Sequence, residues 1–303
     1  MTVITAPFVY WKLDSDITTA RFLTEHERLQ GVERLRANQA TVEGQHEFKW
    51  SQVLEAFIDP KTWLWVILAL LPNLGSSLPS IFGPLIVQGF GFDQYETLLL
   101  NMPFGAVQTI VILLGCWAAH YMRIKSAILF VFMLPVVAGT AMLYALDRSK
   151  KEQGPLLAAY YIIAFLFSAN PLLLSWMVGN TAGATKKSVT VSLYQAGLSA
   201  GNLIGPLLFD AEQAPEYRKG ILGVLGVFIA MVACIVVQTG ILFVMNKMQE
   251  KKRVRHGKSA KIIDKSMVKG VTEFNDKTQD EVVVDRPPAD LTDRQNDEFV
   301  YIY

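Results

Sequence analysis

Charged residues are missing from six stretches of this chain, 63–88, 97–119, 126–146, 155–179, 188–209 and 220–246. Each stretch is 21 to 27 residues long, and about 20 apolar residues in a helix cross the roughly 30 Å hydrocarbon core of a bilayer. The pattern predicts an all-α membrane protein whose six transmembrane helices fill residues 63–246. Ahead of them, 1–62 reads as a connecting segment with short amphipathic helices. Thr24 and Glu27 make a capping box before Leu29, Val32 and Leu35, and Trp50, Val53, Leu54 and Phe57 mark a second helical face. Asp59 suits an N-cap and Pro60 a first helical position, so the first span should start there. Behind the bundle, 247–303 turns from basic to acidic, carries Pro287-Pro288, and is expected to be a disordered tail. Val3–Trp11 is apolar but too short to span, and reads as the tail of a helix.

Polar residues inside the spans fall on faces. In the first, Asn73, Ser76, Ser77 and Ser80 follow i, i+3, i+4, i+7 spacing, and in the second Thr97, Asn101, Gly105 and Gln108 repeat it. In the fifth, Ser192, Gln195, Ser199 and Asn202 cluster within about 80° of arc, with Gly197, Gly201 and Gly205 on a stripe about 140° away. Small residues let a second helix approach closely, and lipid cannot satisfy an amide. A helix with one packing stripe and one polar stripe has the pattern of a pore-lining element. The other reading is that the amides bridge neighbouring helices. Pro72, Pro79, Pro84, Pro135, Pro171 and Pro206 should bend or interrupt their spans.

The chain is 51% hydrophobic and 18% charged, with a net charge of +1, a balance that offers nothing to nucleic acid. With six spans, the side holding both termini carries 20 Lys and Arg near the span ends and the other side 5. Excess Lys and Arg marks the cytoplasmic face, so both termini are expected in the cytoplasm, with the plasma membrane as the location. The run 247–269, with Lys251, Lys252, Arg253 and Arg255, is attracted to anionic lipid.

No catalytic or cofactor-binding constellation is present. His26, His46, His120 and His256 have no partners at metal-ligand spacing, and there is no Gly-rich phosphate loop. The two cysteines, Cys116 and Cys234, lie inside spans and read as small apolar packers. The spans hold no Asp, Glu, Lys, Arg or His, which membrane-embedded enzymes and proton relays normally require. An enzyme is therefore not expected, nor a cofactor or metal.

Three segments carry a family resemblance: FLTEHERLQGVERLRANQ followed by FKWSQVLEAFIDPKTWLW; SWMVGNTAGATKK followed by AGNLIGPLLFDAEQAPEYRKG; and DLTDRQNDEFVYIY at the end. They resemble the fungal allantoate permease-like branch of the anion:cation symporter family, within the major facilitator superfamily. Ala184 and Leu207 stand where that branch usually has His and Gln. The resemblance implies two six-helix halves, of which this chain is similar to the C-terminal one. It also implies proton-driven transport of an organic anion, a small nitrogenous compound or a vitamin, bound between the halves. Asn73, Ser77, Asn101, Gln108, Tyr161, Gln195 and Asn202 are then candidates for the wall of the pathway, and Asn180, Lys186 and Lys187 for its cytoplasmic gate. A first half or a second copy would supply the other wall. A non-transporting membrane protein or regulator descended from a transporter half is the alternative.

Overall fold

Asp59 starts the first long helix. Its side chain accepts from the Lys61 backbone N–H at 3.3 Å, and Pro60 takes the first helical position, where its missing N–H costs nothing. The computed structural model describes residues 48–89, 91–147, 151–210, 212, 217–259, 290–297 and 299–303, together with 5–7, 11, 12, 14, 20–28 and 31. Leu29, Val32, Leu35 and Pro287-Pro288 lie outside the described residues. The capping box ahead of them is formed, with the Thr24 backbone N–H donating to Glu27 at 2.9 Å.

The described helices are α1 (Trp50–Ile58), α2 (Pro60–Gly75), α3 (Ser77–Ser80), α4 (Gly83–Gly89), α5 (Gln94–Met122), α6 (Lys125–Ala145), α7 (Gln153–Ile162), α8 (Ala169–Gly179), α9 (Ala184–Ile204) and α10 (Arg218–Arg255). There is no strand among the described residues. The proline-rich first stretch is broken into α2, α3 and α4, as its prolines predict. Ahead of Pro171 the helix tightens into a 3₁₀ segment, Ile163–Ser168, that joins α7 to α8. Asp93 and Glu96 cap α5, the Asp93 backbone N–H donating to Glu96 at 3.1 Å.

Five helical stretches are long and apolar enough to cross a membrane: Pro60–Ser80, Gln94–Met122, Lys125–Ala145, Gln153–Gly179 and Arg218–Arg255. Helix α9 has the length, 21 residues, but its Ser, Thr, Gln, Asn and Lys content leaves it less apolar than those five. It packs most extensively on α2, which in turn meets α10, while α10 continues the bundle onto α6 and α5 closes on the 3₁₀ segment. Aromatic side chains fill the interior. Trp65 meets Trp176 edge-on at 4.8 Å, Phe104 stacks on Tyr160 at 4.7 Å, and the Phe228 ring fills the space beside Gly75. The outside is apolar too: Leu98, Met102 and Trp117 on α5, and Val236, Phe243 and Val244 on α10, are exposed. Such a continuous greasy surface suits lipid. The chain is an all-α integral membrane protein.

Two features depart from a plain bundle. Helix α1 is amphipathic in the reverse sense of a soluble helix: Trp50, Leu54, Phe57 and Ile58 point outward, while Gln52 and Ala56 are buried against the bundle. The end of the chain also departs from the expected disordered tail. Residues 290–303, as far as they are described, fold back onto the end of the bundle beside α1, and Thr292, Asp293, Phe299 and Tyr301 are fully buried there. Five closely spaced apolar residues, Phe299 to Tyr303, give this stretch surface worth burying, which the acidic composition of the wider tail obscures.

Candidate functional site

The glycine stripe of α9 lies directly on α2. A Cβ added at Gly197 would sit 2.6 Å from the Val66 carbonyl oxygen, and one at Gly205 2.6 Å from the Leu74 carbonyl oxygen; Gly201 faces the Leu70 carbonyl in the same way. Only hydrogen-sized side chains permit this backbone approach. Ser77 sits at the same seam, buried, with its hydroxyl donating to the Leu74 carbonyl at 2.8 Å.

Asn73 is buried and forms a reciprocal amide pair with Asn170: Asn73 Nδ2 donates to Asn170 Oδ1 at 3.1 Å, and Asn170 Nδ2 to Asn73 Oδ1 at 3.3 Å. Asn73 Nδ2 also donates to the Ala69 carbonyl at 2.7 Å. For this residue the geometry is that of a bridge between α2 and α8. On α5, Asn101 accepts from the Tyr160 hydroxyl at 2.9 Å, and the Tyr161 hydroxyl donates to the Leu100 carbonyl at 2.7 Å. Asn101 and Tyr161 are thus brought together at the α5–α7 contact, both half-buried, and Gln108 lies two turns farther along α5, also half-buried.

Gln195 and Asn202 are placed differently. They are exposed together with Ser192 and Ser199 on the side of α9 turned away from α2. Their amides make no hydrogen bond among the described residues. Held against α2 by its glycines, α9 therefore presents a row of polar side chains outward at the depth of the bundle. The seven wall candidates lie in three settings: Asn73 and Ser77 are internal, Asn101 and Tyr161 join two helices with Gln108 two turns farther along α5, and Gln195 and Asn202 form an open face.

The densest chemistry lies at the end of the bundle where α9 begins. Lys61 and Lys186 are both completely buried. Lys186 Nζ lies 2.9 Å from each of Glu55, Asp59 and Asp293. Lys61 Nζ pairs with Asp293 and donates to the Asn180 carbonyl at 2.8 Å. Arg294 closes the outer side on Asp59 at 3.2 Å. Burial would push the Asp293 carboxyl up, but the Lys61 and Lys186 ammonium groups outweigh it and hold the carboxyl below the usual range. Tyr301, donating to Asp293 at 2.8 Å, is pushed up by burial and by that neighbouring negative charge.

Asn180 and Lys186 thus enter one network, through Lys61 and Asp293. Lys187 is half-buried beside it, its backbone N–H donating to the Gly183 carbonyl at 2.8 Å. Sequence reasoning missed Asp59, Lys61 and Asp293 as members of a site, and Asn170 as the partner of Asn73. The available signal for the first three was charge at the edge of a charge-free stretch facing an aromatic-rich chain end. Among the described residues, no group of three His, Cys, Asp or Glu side chains could hold a metal.

Similarity to known proteins narrows what these features serve. The chain is 36% identical over 241 residues to the MFS-type transporter cnsL of Penicillium expansum, covering 78% of this chain and 47% of that protein. It is 30% identical over 266 residues to the allantoate permease of Saccharomyces cerevisiae, covering 84% and 47% respectively. An uncharacterized transporter of Schizosaccharomyces pombe, C757.13, is 27% identical over 97% of this chain and 52% of its own length. The chain spans about half the length of these curated relatives. No family model matches it, and no solved structure does.

Proposed function

Because the chain belongs to the MFS-type transporter family that these fungal relatives represent, we propose that it forms the C-terminal half of a proton-coupled permease. Its substrate class is a small organic anion or nitrogenous compound, in line with the permease among its relatives. The observation that carries the reading is the outward polar row of α9, Ser192, Gln195, Ser199 and Asn202, opposite a glycine seam. Unpaired amides facing lipid would be costly, so the row calls for a polar surface opposite it, a solute path shared with a second half. In this reading α9 is the fifth of six membrane-crossing segments, and both termini lie in the cytoplasm of a plasma-membrane protein. The six charge-free stretches hold no Asp, Glu, Lys, Arg or His to carry a proton, so in this reading the proton site belongs to the other half.

The test expresses this chain with the first half of a matched relative in permease-deficient cells and follows uptake of labelled allantoate and related acids. Uptake that Asn202→Ala or Gln195→Ala reduces at least tenfold, with surface expression unchanged, supports the path. Undiminished uptake by both variants overturns it. Concentrative, acid-stimulated uptake by this chain alone would overturn the need for a second half.

A further inference from the structure

The last described residues bind more of the bundle than a loose tail would. Asp290 accepts from the Ala184 backbone N–H at 2.7 Å and from Gln52 at 3.1 Å, and lies 3.2 Å from Lys49. Gln249 on α10 donates to the Asp293 carbonyl at 2.7 Å. Tyr301 exchanges two 2.8 Å hydrogen bonds with Asn246 of α10, its N–H donating to the amide oxygen and its carbonyl accepting from the amide nitrogen. Ile302 is gripped by Asn180 in the same reciprocal way, at 2.8 and 2.9 Å, and its carbonyl also accepts from the Trp176 indole at 2.8 Å. The Lys125 backbone N–H, at the start of α6, donates to the Tyr303 carbonyl at 2.8 Å. One segment thus reaches α1, α2, α6, α8, α9 and α10.

We propose that residues 290–303 are a charge-keyed strap that clamps α1 and the start of α9 onto the end of the bundle, with the Asp293 carboxylate as the key. Two ammonium groups with no access to water converge on that carboxylate. The remaining members of the cluster, Glu55 and Asp59, come from α1 and its junction with α2, so the incoming segment is fastened through the same lysines. Removing one partner of a buried ion pair leaves the other charged and unsolvated, which is strongly destabilising, whereas removing both partners together is far less so. The strap therefore makes the connector and the bundle move as one body. This goes beyond the transport reading and stands without it.

The test places a cysteine at Ala182, which is 5% exposed under the strap and whose backbone N–H faces Asp293 at 3.4 Å. It uses the full chain with Cys116 and Cys234 replaced by Ser, in detergent, and measures the rate of labelling by a soluble maleimide. Asp293→Asn should raise that rate about a hundredfold. Phe299→Leu, which trims the strap's apolar packing by a smaller step and keeps its charge, should raise it less than about tenfold. Asp293→Asn combined with Lys61→Met removes both charges and should restore slow labelling, which keeps the test decisive if the single variant does not fold. Slow labelling of Asp293→Asn, equal opening by Phe299→Leu, or no recovery in the double variant would each overturn the proposal.

Discussion

Replacing Gly197 with Ala tests the geometry of the α2–α9 seam with one methyl group. The new Cβ would lie 2.6 Å from the Val66 carbonyl oxygen and 3.0 Å from Val66 Cγ1, where ordinary contact begins at 3.4 Å. The difference, 3.4 less 2.6, requires the helices to part by 0.8 Å. A gap of that size forfeits about a quarter to a half of the dispersion energy of the atoms along it. Overpacking of this kind costs about 1–3 kcal/mol, equivalent to a fall in Tm of about 2–12 °C for a chain of this size. The control is Gly240→Ala on α10, where nothing lies within 4 Å of the added carbon. There the better helix propensity of Ala offers up to about 1 kcal/mol in the opposite direction. Thermal stability in detergent, followed by size-exclusion chromatography of a fluorescently tagged protein, reads both. A Gly197→Ala protein as stable as Gly240→Ala would refute the close approach.

The amide bridge predicts that Asn73→Ala, which strands the Asn170 side chain, destabilises by about 1–3 kcal/mol, while replacing both asparagines with Leu costs less; a double variant no better than the single would contradict the bridge. The tail contacts predict a defined acid response. The Asp293 carboxyl is held low, and Asp297 is lowered to about 2 by its hydrogen bonds to Lys252 and His256. A depressed folded pKa stabilises above the unfolded value, so tail protection should persist at neutral pH and fade only as pH falls below about 4. Hydrogen exchange of residues 290–303 that rises between pH 7 and 5 would speak against it.

The membrane class and the long helices were legible because 21 to 27 consecutive residues without charge leave few alternatives. The start at Asp59 and the two stripes of α9 were legible because each depends on spacing along one helix. Pairings between distant positions were not. Nothing local to Asn73 points to Asn170, and Lys61 and Asp293 are separated by most of the chain yet meet in the buried network. The tail misled for a related reason: its average acidity argues for disorder, while the folding information sits in Phe299 to Tyr303 and in two aspartates whose partners are elsewhere. Composition describes a segment; a groove formed by six helices decides whether it is held.

The reversed amphipathicity of α1 supplies a depth gauge. A helix with Trp50, Leu54 and Phe57 outward and its polar side against the protein is at home only where headgroups give way to acyl chains, so it sets the boundary plane at its own level. Lys186, ion-paired to Glu55 of that helix, lies at the same plane. Along α9, Gln195 is nine residues farther on and Asn202 sixteen, about 13.5 and 24 Å deeper at 1.5 Å per residue. With α9 crossing the bilayer as proposed, half of a 30 Å hydrocarbon layer, about 15 Å, sets Gln195 close to the centre and Asn202 in the far leaflet.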